Sequence, residues 1–189
     1  AAYLKQRGEK FTVVLAGQGP DEEAVKAKAN ELNVAEHVLF TGHLSDTHLL
    51  DGLYQAATLF TFPSQYDTFS LVIREAAAMY TPSVAIEGTA PAEPIVHGQN
   101  GLVCADDGEK LGELLLKYMH DTEALTRMGQ AAHDTIPHDW DSILVKVRER
   151  YAALIARKDE AKMAERHAKL KDTLLERYEK LAAYFGLKL

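Results

Sequence analysis

Two carboxylates eight positions apart are the residues of this sequence best suited to chemistry. Asp67 lies in a turn after an apolar run of β-formers, and Glu75 follows within an apolar helical pattern that includes Val72 and Ile73. An unpaired charge in such surroundings is costly, so Glu75 needs a partner. Eight helical positions span about 12 Å. This spacing suits contact with two separate hydroxyl-bearing parts of one ligand better than sharing of a proton between the two acids.

The segment from Asp67 to Glu75 has a binding interpretation and a structural one. Free amides at the start of the helix, from Phe69 to Val72, would attract a diphosphate, because a helix N-terminus carries partial positive charge. Glu75 would then accept hydrogen bonds from ribose hydroxyls, and Asp67 from those of a hexose. In the structural interpretation, Asp67 caps the helix and Glu75 pairs with a nearby Arg or Lys. Residue types alone leave both interpretations open.

Short apolar runs alternate with amphipathic patterns over most of the sequence. The predicted strands cover 11–16, 37–40, 59–62, 83–86 and 101–103, and the helices between them cover 21–32, 45–57 and 69–80. Strands separated by helices of about ten residues predict a doubly wound parallel sheet of the α/β class, Rossmann-like, with helices on both faces. After residue 106 only helical patterns follow, at 107–120, 122–133 and 140–157.

The end of the sequence has a charged helical pattern of its own. We therefore predict a Rossmann-like domain over 1–157 and a long amphipathic C-terminal helix over 158–189. Residues three or four apart form one apolar stripe along this helix: Met163, His167, Leu170, Leu174, Tyr178, Leu181 and Phe185. The pattern favours a helix that packs on the rest of the molecule over a coiled coil that self-associates.

Composition narrows the classes of partner. The chain has 189 residues, a net charge of −7 and 47% hydrophobic residues. This acidic balance argues against nucleic acid as the main partner. The single cysteine, Cys104, excludes an internal disulfide framework and a cysteine-rich metal site, and it predicts a reducing, cytoplasmic setting. The histidines are scattered, so we expect no metal site.

Loops at the carboxyl ends of the strands are the expected ligand site of such a sheet. These loops cover 17–20, 41–46, 64–68 and 87–93 and are rich in glycine and small polar residues, as a phosphate-bearing ligand requires. The first reads Gly17-Gln18-Gly19-Pro20 and lacks the third glycine of a dinucleotide fingerprint. That absence argues against an NAD site.

From about residue 11 to residue 157 the sequence resembles the C-terminal, donor-binding domain of glycosyltransferase family 4, whose members are retaining enzymes of GT-B fold. The motifs that carry the resemblance stand in the family's order: Leu-Ala-Gly-Gln-Gly-Pro, His-Val-Leu-Phe-Thr-Gly, Ala-Ala-Thr-Leu-Phe-Thr-Phe-Pro-Ser, two acids separated by seven residues and followed by Ala-Ala-Ala, and Gly-Gln-Asn-Gly-Leu. The sequence also starts without methionine in a pattern typical of mid-helix. We therefore expect a fragment, half of a GT-B fold, with the first strand and the N-terminal acceptor domain before residue 1.

The resemblance also implies roles for individual residues. The family's second acid binds the donor ribose and matches Glu75. Its first acid, usually glutamate, contacts the sugar near the reaction centre and matches Asp67, the predicted catalytic residue, which is one methylene shorter. Backbone groups of the loop before the second helix would hold the base, and the first amides of the acid-bearing helix would face the diphosphate. The predicted donor-binding residues are Glu75, Thr68, Phe69, Ser70, Leu71, Val72, Gly17, Gly42, His43, Leu44 and Ser45.

The implied reaction is transfer of a hexose from a nucleotide-sugar to an acceptor hydroxyl with retained configuration. A UDP-linked donor such as UDP-glucose is favoured over a GDP-linked one, because UDP is the safer choice among bacterial relatives. The family uses basic side chains and helix dipoles on the leaving group, so no metal or cofactor is expected. A membrane glycolipid is one candidate acceptor, which would bring a cytoplasmic enzyme to the inner face of the membrane.

The resemblance implies one further expectation, and two alternative functions stay open beside it. The Arg and Lys that neutralise the donor diphosphate in this family lie before residue 1, so we expect residues 1–189 to be inactive on their own. One alternative function is a nucleotide-sugar-binding module without transfer activity. Another is an epimerase of GT-B architecture that acts on UDP-N-acetylhexosamine.

Overall fold

The computed structural model describes residues 1–137 and 140–184 of the chain. The chain forms two compact units, Ala1–Pro137 and His138–Leu189. All described strands belong to the first unit, and the second is built on one helix. None of the described helices combines the length and the apolar character that a membrane span requires.

Strands and helices alternate through the first unit, close to the predicted positions. The strands are β1 (Val13–Ala16), β2 (Val38–Gly42), β3 (Phe60–Phe62), β4 (Ser83–Ile86) and β5 (Gly101–Cys104). The helices are α1 (Ala2–Gln6), α2 (Glu22–Glu31), α3 (Thr47–Ala56), α4 (Leu71–Ala78), α5 (Gly108–Tyr118), α6 (Thr122–Thr135) and, in the second unit, α7 (Trp140–Tyr184).

The paired strands are all parallel, which confirms the predicted α/β class. Val14 of β1 lies opposite Leu39 of β2, and Val84 of β4 lies between Thr61 of β3 and Leu102 of β5. The described strands form two sheets, β1–β2 and β3–β4–β5, where the sequence predicted one. Pairing joins distant segments by hydrogen bonds, so a local pattern locates a strand without specifying its neighbours.

The core surrounds β4, in which every residue is buried. Ala85 of β4 belongs to an apolar cluster with Ile73 of α4, and Val84 belongs to a second cluster with Leu111 of α5. Successive residues of a strand point to opposite faces. Helices α4 and α5 therefore cover opposite faces of the sheet, which is the doubly wound arrangement that the sequence predicted.

The described part of the second unit is α7, a single helix that extends across the predicted boundary. Residues on both sides of position 157 form one uninterrupted helix, so the predicted boundary lies inside it. No Gly or Pro occurs between 140 and 184 to end a helix there. In the predicted stripe, Met163, Leu170 and Leu174 are exposed. Phe185 and the side chains of Tyr178 and Leu181 lie outside the described residues.

Candidate functional site

The loops after β1 and β2 meet at the carboxyl ends of these strands. The N–H of Gly17 donates to the carbonyl of Gly42 over 2.9 Å. Both residues have positive φ, 135° and 66°, a region that favours glycine. A Cβ added at either position would meet nothing within 4 Å, so the backbone conformation and not a lack of space calls for glycine. The structure thus brings together two of the predicted site residues.

The segment predicted to hold the nucleotide base leads into α3. His43 and Ser45 are exposed, and Leu44 between them is half-buried. Asp46 caps α3, because its carboxylate accepts a hydrogen bond of 2.9 Å from the N–H of His48.

Asp67 holds the turn before α4 but does not cap the helix, contrary to the structural interpretation of the sequence: the N-cap is Ser70, and no side chain caps this helix start. Its Oδ1 accepts hydrogen bonds from the N–H of Phe69 at 2.9 Å, from the N–H of Ser70 at 2.6 Å and from Ser70 Oγ at 3.0 Å. These donors hold the pKa of Asp67 below its ordinary value, and the Ser70 amide has the largest effect. Ser70 is buried and has a left-handed backbone with φ of 53°.

This turn changes which amides can contact a diphosphate. The N–H groups of Phe69 and Ser70 already donate to the Asp67 carboxylate, contrary to the prediction that they face a ligand. Leu71 and Val72 are the first residues of α4, and amides at these positions have no acceptor within the helix. A phosphate at this helix start would therefore contact Leu71 and Val72, beside a negative Asp67. The neighbouring Thr68 is exposed.

Replacing Asp67 by asparagine should lower stability more at neutral pH than in acid. A carboxylate with a lowered pKa stabilises the fold above its ordinary pKa of 3.8, and this contribution is lost as pH falls through the folded-state value. Urea unfolding midpoints of wild type and Asp67→Asn should therefore converge once the pH lies below the folded-state pKa of Asp67. The exposed Asp134→Asn variant of α6 is the matched control. A midpoint difference that stays constant down to strong acid would contradict this prediction.

Glu75 does not lie in the apolar surroundings that the sequence indicated. Ile73, Ala76 and Ala77 of α4 are each 0% exposed, whereas Glu75 is exposed. At about 100° per residue, Glu75 lies roughly 200° around the helix from Ile73. The apolar residues beside it in the sequence therefore face the core while its carboxylate faces outward. The cost of burying a charge is thus no argument for a function of Glu75.

The Glu75 carboxylate has a tyrosine partner. Tyr54 of α3 donates from Oη to Glu75 Oε2 over 3.2 Å. The sequence predicted that Glu75 pairs with a nearby Arg or Lys, and for the adjacent Arg74 this is wrong. Arg74 donates to the carbonyl of Ile136 over 3.0 Å and stacks on the ring of Phe69. Sequence reasoning missed Tyr54 because 21 positions separate it from Glu75 and no local pattern joins them.

The loops after β3, β4 and β5 also converge. The side chain of Gln65 donates to the carboxylate of Asp106, and the N–H of Glu87 donates to the carbonyl of Cys104 over 2.8 Å. A cavity of about 310 Å³ lies beside the β4 loop. Its lining consists of Glu87, Gly88, Thr89, Ala92, Glu93 and Val103. Carboxylates in this lining can accept hydrogen bonds from ligand hydroxyls.

The electrostatics of these loops are acidic. Loops 17–20, 41–46, 64–68 and 87–93 contain Asp46, Asp67, Glu87 and Glu93 but no Lys or Arg. Within the described ranges, no three His, Cys, Asp or Glu side chains are arranged to hold a metal ion. A bound diphosphate would thus need cations from outside these four loops.

The family described as "Glycosyl transferases group 1" matches residues 1–135, which include every described strand and loop of the site. The chain belongs to this family. Glycogen synthase of Mycobacterium tuberculosis is 32% identical over 145 residues, which cover 75% of this chain and 35% of that enzyme. A GDP-mannose-dependent alpha-(1-6)-phosphatidylinositol monomannoside mannosyltransferase of the same species is 25% identical over 158 residues, which cover 77% of this chain and 40% of that one. The chain spans less than half the length of these relatives.

Solved structures of glycosyltransferases share the fold of this family member. Sucrose-phosphate synthase from Thermosynechococcus elongatus has a TM-score of 0.70 at 22% identity, covering 82% of this chain and 41% of that one. Anabaena HepE in complex with UDP-glucose has a TM-score of 0.64 at 21% identity, covering 82% and 43%. The C-terminal domain of LpcC from Francisella tularensis has a TM-score of 0.60 at 22% identity, covering 71% of both chains. The architecture is that of part of a GT-B fold.

In this glycosyltransferase group 1 domain, the predicted site residues fall into two groups. Gly17 and Gly42 contact each other at the end of β1 and β2. Phe69 and Ser70 both donate hydrogen bonds to Asp67 just before α4. Helix α3 follows the first group and carries Tyr54, which contacts Glu75 in the second group. The unpredicted tyrosine therefore links them.

Proposed function

We propose that this domain binds the nucleotide-sugar donor of a retaining glycosyltransferase of family 4, as the C-terminal half of its GT-B fold. The observation that carries the proposal is the position of Glu75. Its carboxylate is exposed on α4 and has one oxygen held by Tyr54, so the other oxygen can accept hydrogen bonds from ribose hydroxyls. The first amides of the same helix, at Leu71 and Val72, would then contact the diphosphate.

Two similarities support a nucleotide-sugar ligand. HepE, which shares the fold, has been solved in complexes with UDP and with UDP-glucose. LpcC, which also shares it, is described as a C-terminal domain of a glycosyl transferase group 1 protein. Relatives in sequence include GDP-mannose-dependent mannosyltransferases. The choice between a uracil and a guanine base is therefore a separate part of the proposal. We propose UDP in preference to GDP.

The whole protein would transfer a hexose to an acceptor hydroxyl with retention of configuration, and Asp67 would contact the sugar near the reaction centre. All the hydrogen bonds that Asp67 accepts from Phe69 and Ser70 are at Oδ1, so Oδ2 is the oxygen that would contact a sugar hydroxyl. A membrane glycolipid is the acceptor we favour, with the enzyme on the cytoplasmic side of the membrane and without a metal or cofactor. An upstream acceptor domain would bind that lipid.

Calorimetric titration of the purified chain tests donor binding. UDP, GDP and ADP would each be titrated under identical conditions. Glu75 and the amides of α4 would recognise the ribose and the diphosphate that all three nucleotides share. We expect UDP to bind most tightly, because the loop from His43 to Ser45 would discriminate among the bases. Absence of binding for all three nucleotides would overturn the proposed function.

We also propose that residues 1–189 alone do not transfer sugar, because the four loops contain no Lys or Arg for the leaving diphosphate. The measurement is release of hexose from UDP-glucose with and without the chain. Hexose release above the buffer rate would contradict this proposal. Conversion of UDP-N-acetylhexosamine to its epimer would instead support the epimerase of the same architecture.

The engagement of Asp67 at the helix start favours a second candidate, a nucleotide-sugar-binding module without transfer activity. An acid that holds the turn before α4 has a sufficient structural role without catalysis. A protein that joins this domain to the proposed acceptor domain distinguishes the two candidates. Transfer by that protein that is lost in Asp67→Ala but retained in Asp134→Ala supports an enzyme, and nucleotide binding without any transfer supports the module.

A further inference from the structure

One side-chain contact connects α3 to the acid on α4. Tyr54 is 7% exposed and its hydroxyl lies 3.2 Å from Oε2 of Glu75, whose side chain is exposed. A buried donor therefore holds one oxygen of a carboxylate that otherwise faces solvent. Side chains on a helix surface rotate among several rotamers unless a contact selects one. The tyrosine supplies such a contact.

Tyr54 itself is held from two directions. Its ring packs edge-on against Phe60 of β3, with centroids 5.3 Å apart and an interplanar angle of 84°. Its backbone carbonyl accepts a hydrogen bond of 2.6 Å from Oγ1 of Thr81, which lies just beyond the end of α4. Thr81 is buried, at 2% exposed. Both the ring and the backbone of Tyr54 are thus fixed relative to the sheet and to α4.

The protonation state of Tyr54 makes it the hydrogen-bond donor in this contact. Burial, reinforced by the neighbouring Glu75 carboxylate, raises the pKa of Tyr54 well above its ordinary value. The tyrosine therefore stays protonated at neutral pH and donates its proton towards Glu75. The adjacent cation, Arg74, donates to the carbonyl of Ile136 and does not compete for this carboxylate.

The position of Tyr54 along α3 adds a second link. The helix begins at Thr47, directly after the loop from His43 to Asp46, and Tyr54 lies near its other end. About seven helical positions, or roughly 10 Å, separate these two points. One short helix thus carries both the loop proposed to hold the base and the residue that orients the acid proposed to hold the ribose.

We propose that Tyr54 is a positioning residue that orients the Glu75 carboxylate towards the ribose hydroxyls of the nucleotide. This inference rests on the proposed function, because it requires that Glu75 contact the ribose. With Oε2 held by Tyr54, Oε1 faces the ligand in one orientation instead of several. Tyr54 contributes no contact of its own to the ligand.

The test compares two nucleotides on the purified chain by calorimetry, UDP and 2′,3′-dideoxy-UDP, which lacks both ribose hydroxyls. Tyr54→Phe retains the ring and removes the hydroxyl. We expect this variant to bind UDP up to about tenfold more weakly than wild type, since the released Glu75 side chain must lose its rotamer freedom when the ligand binds. Its affinity for dideoxy-UDP should equal that of wild type. Tyr80→Phe is the matched control, because Tyr80 lies just after α4 and stacks on His133 through its ring, and it should change neither affinity.

A double variant distinguishes positioning from damage to the fold. Once Glu75 is replaced by alanine there is no carboxylate to orient, so Tyr54→Phe/Glu75→Ala should bind UDP as weakly as Glu75→Ala alone. Equal losses of Tyr54→Phe for UDP and for dideoxy-UDP would overturn the inference while leaving the proposed function intact, as would unchanged UDP affinity. A wild-type chain that binds none of UDP, GDP and ADP would overturn both.

Discussion

Glu75→Ala should weaken UDP binding by about 100-fold. Two hydrogen bonds from ribose hydroxyls to a carboxylate are worth about 3 kcal/mol together, and this free energy corresponds to roughly two orders of magnitude in Kd. The fold should survive the change, because Glu75 is exposed and its neighbours Ile73, Ala76 and Ala77 supply the buried face of α4. Calorimetric titration measures the affinity, and thermal unfolding followed by circular dichroism checks that the variant is folded.

The matched control for this variant is Glu123→Ala on α6. Glu123 is an exposed glutamate whose partner, Arg127, lies one helical turn away on the same helix. Its replacement should leave UDP affinity unchanged, since exposed ion pairs of this kind contribute little. A folded Glu75→Ala variant that binds UDP as tightly as wild type would remove Glu75 from the site.

Gly129→Ala should destabilise the first unit by about 3 kcal/mol. A Cβ at this position of α6 would lie 2.2 Å from the carbonyl oxygen of Tyr80, a backbone atom that cannot move aside as a flexible side chain can. Alanine is a better helix former than glycine by about 1 kcal/mol, and the steric clash exceeds this gain. The measurement is the urea unfolding midpoint, with the slope compared between variants to confirm that the same surface unfolds.

The chain provides a control that isolates the clash. Gly52 lies in α3, and a Cβ there would meet nothing within 4 Å. Gly52→Ala should therefore raise stability by up to about 1 kcal/mol through helix propensity alone. If Gly129→Ala raised stability to the same extent, α6 would not pack closely on the end of α4.

This close packing also matters for the proposed site. Residues of α6 hold the far end of α4: the ring of His133 stacks on Tyr80 with centroids 3.9 Å apart, and its Nδ1 lies 3.1 Å from the carbonyl oxygen of Ala78. Arg74 of α4 donates to the carbonyl of Ile136, just after α6. Because α4 carries Glu75, a displaced α6 would shift the acid relative to Tyr54. Weaker UDP binding in Gly129→Ala would thus accompany its loss of stability.

Local sequence patterns located most elements of the first unit. The run Ser83–Ile86 is apolar enough to be read as a strand, and it is buried throughout as β4. The residue that caps α3, Asp46, lies directly before that helix in the chain, as an N-cap does. The extent of α7 could not be read from local patterns in the same way. The boundary predicted at residue 158 from the charged pattern lies inside one continuous helix, which contains no helix breaker.

The environment of each candidate acid was not readable from its neighbours in the sequence. Glu75 is flanked by apolar residues, yet the helical turn directs those residues inward and the acid outward. Asp67 was open to two interpretations. In the structure its carboxylate accepts hydrogen bonds from the N–H groups of Phe69 and Ser70 and from the Ser70 hydroxyl. Whether Asp67 also contacts a sugar stays a prediction.

By itself the sequence determined the α/β class and the order of strands and helices, because each of these depends on residues close together in the chain. It also indicated the segment from Asp67 to Glu75 for ligand chemistry, which stays a prediction. Only the tertiary structure decided that Tyr54 is the partner of Glu75 and that Gly17 contacts Gly42. Contacts between residues far apart in the chain depend on how helices pack on a sheet. Packing follows from the fit of many side chains together, which no single stretch of sequence contains.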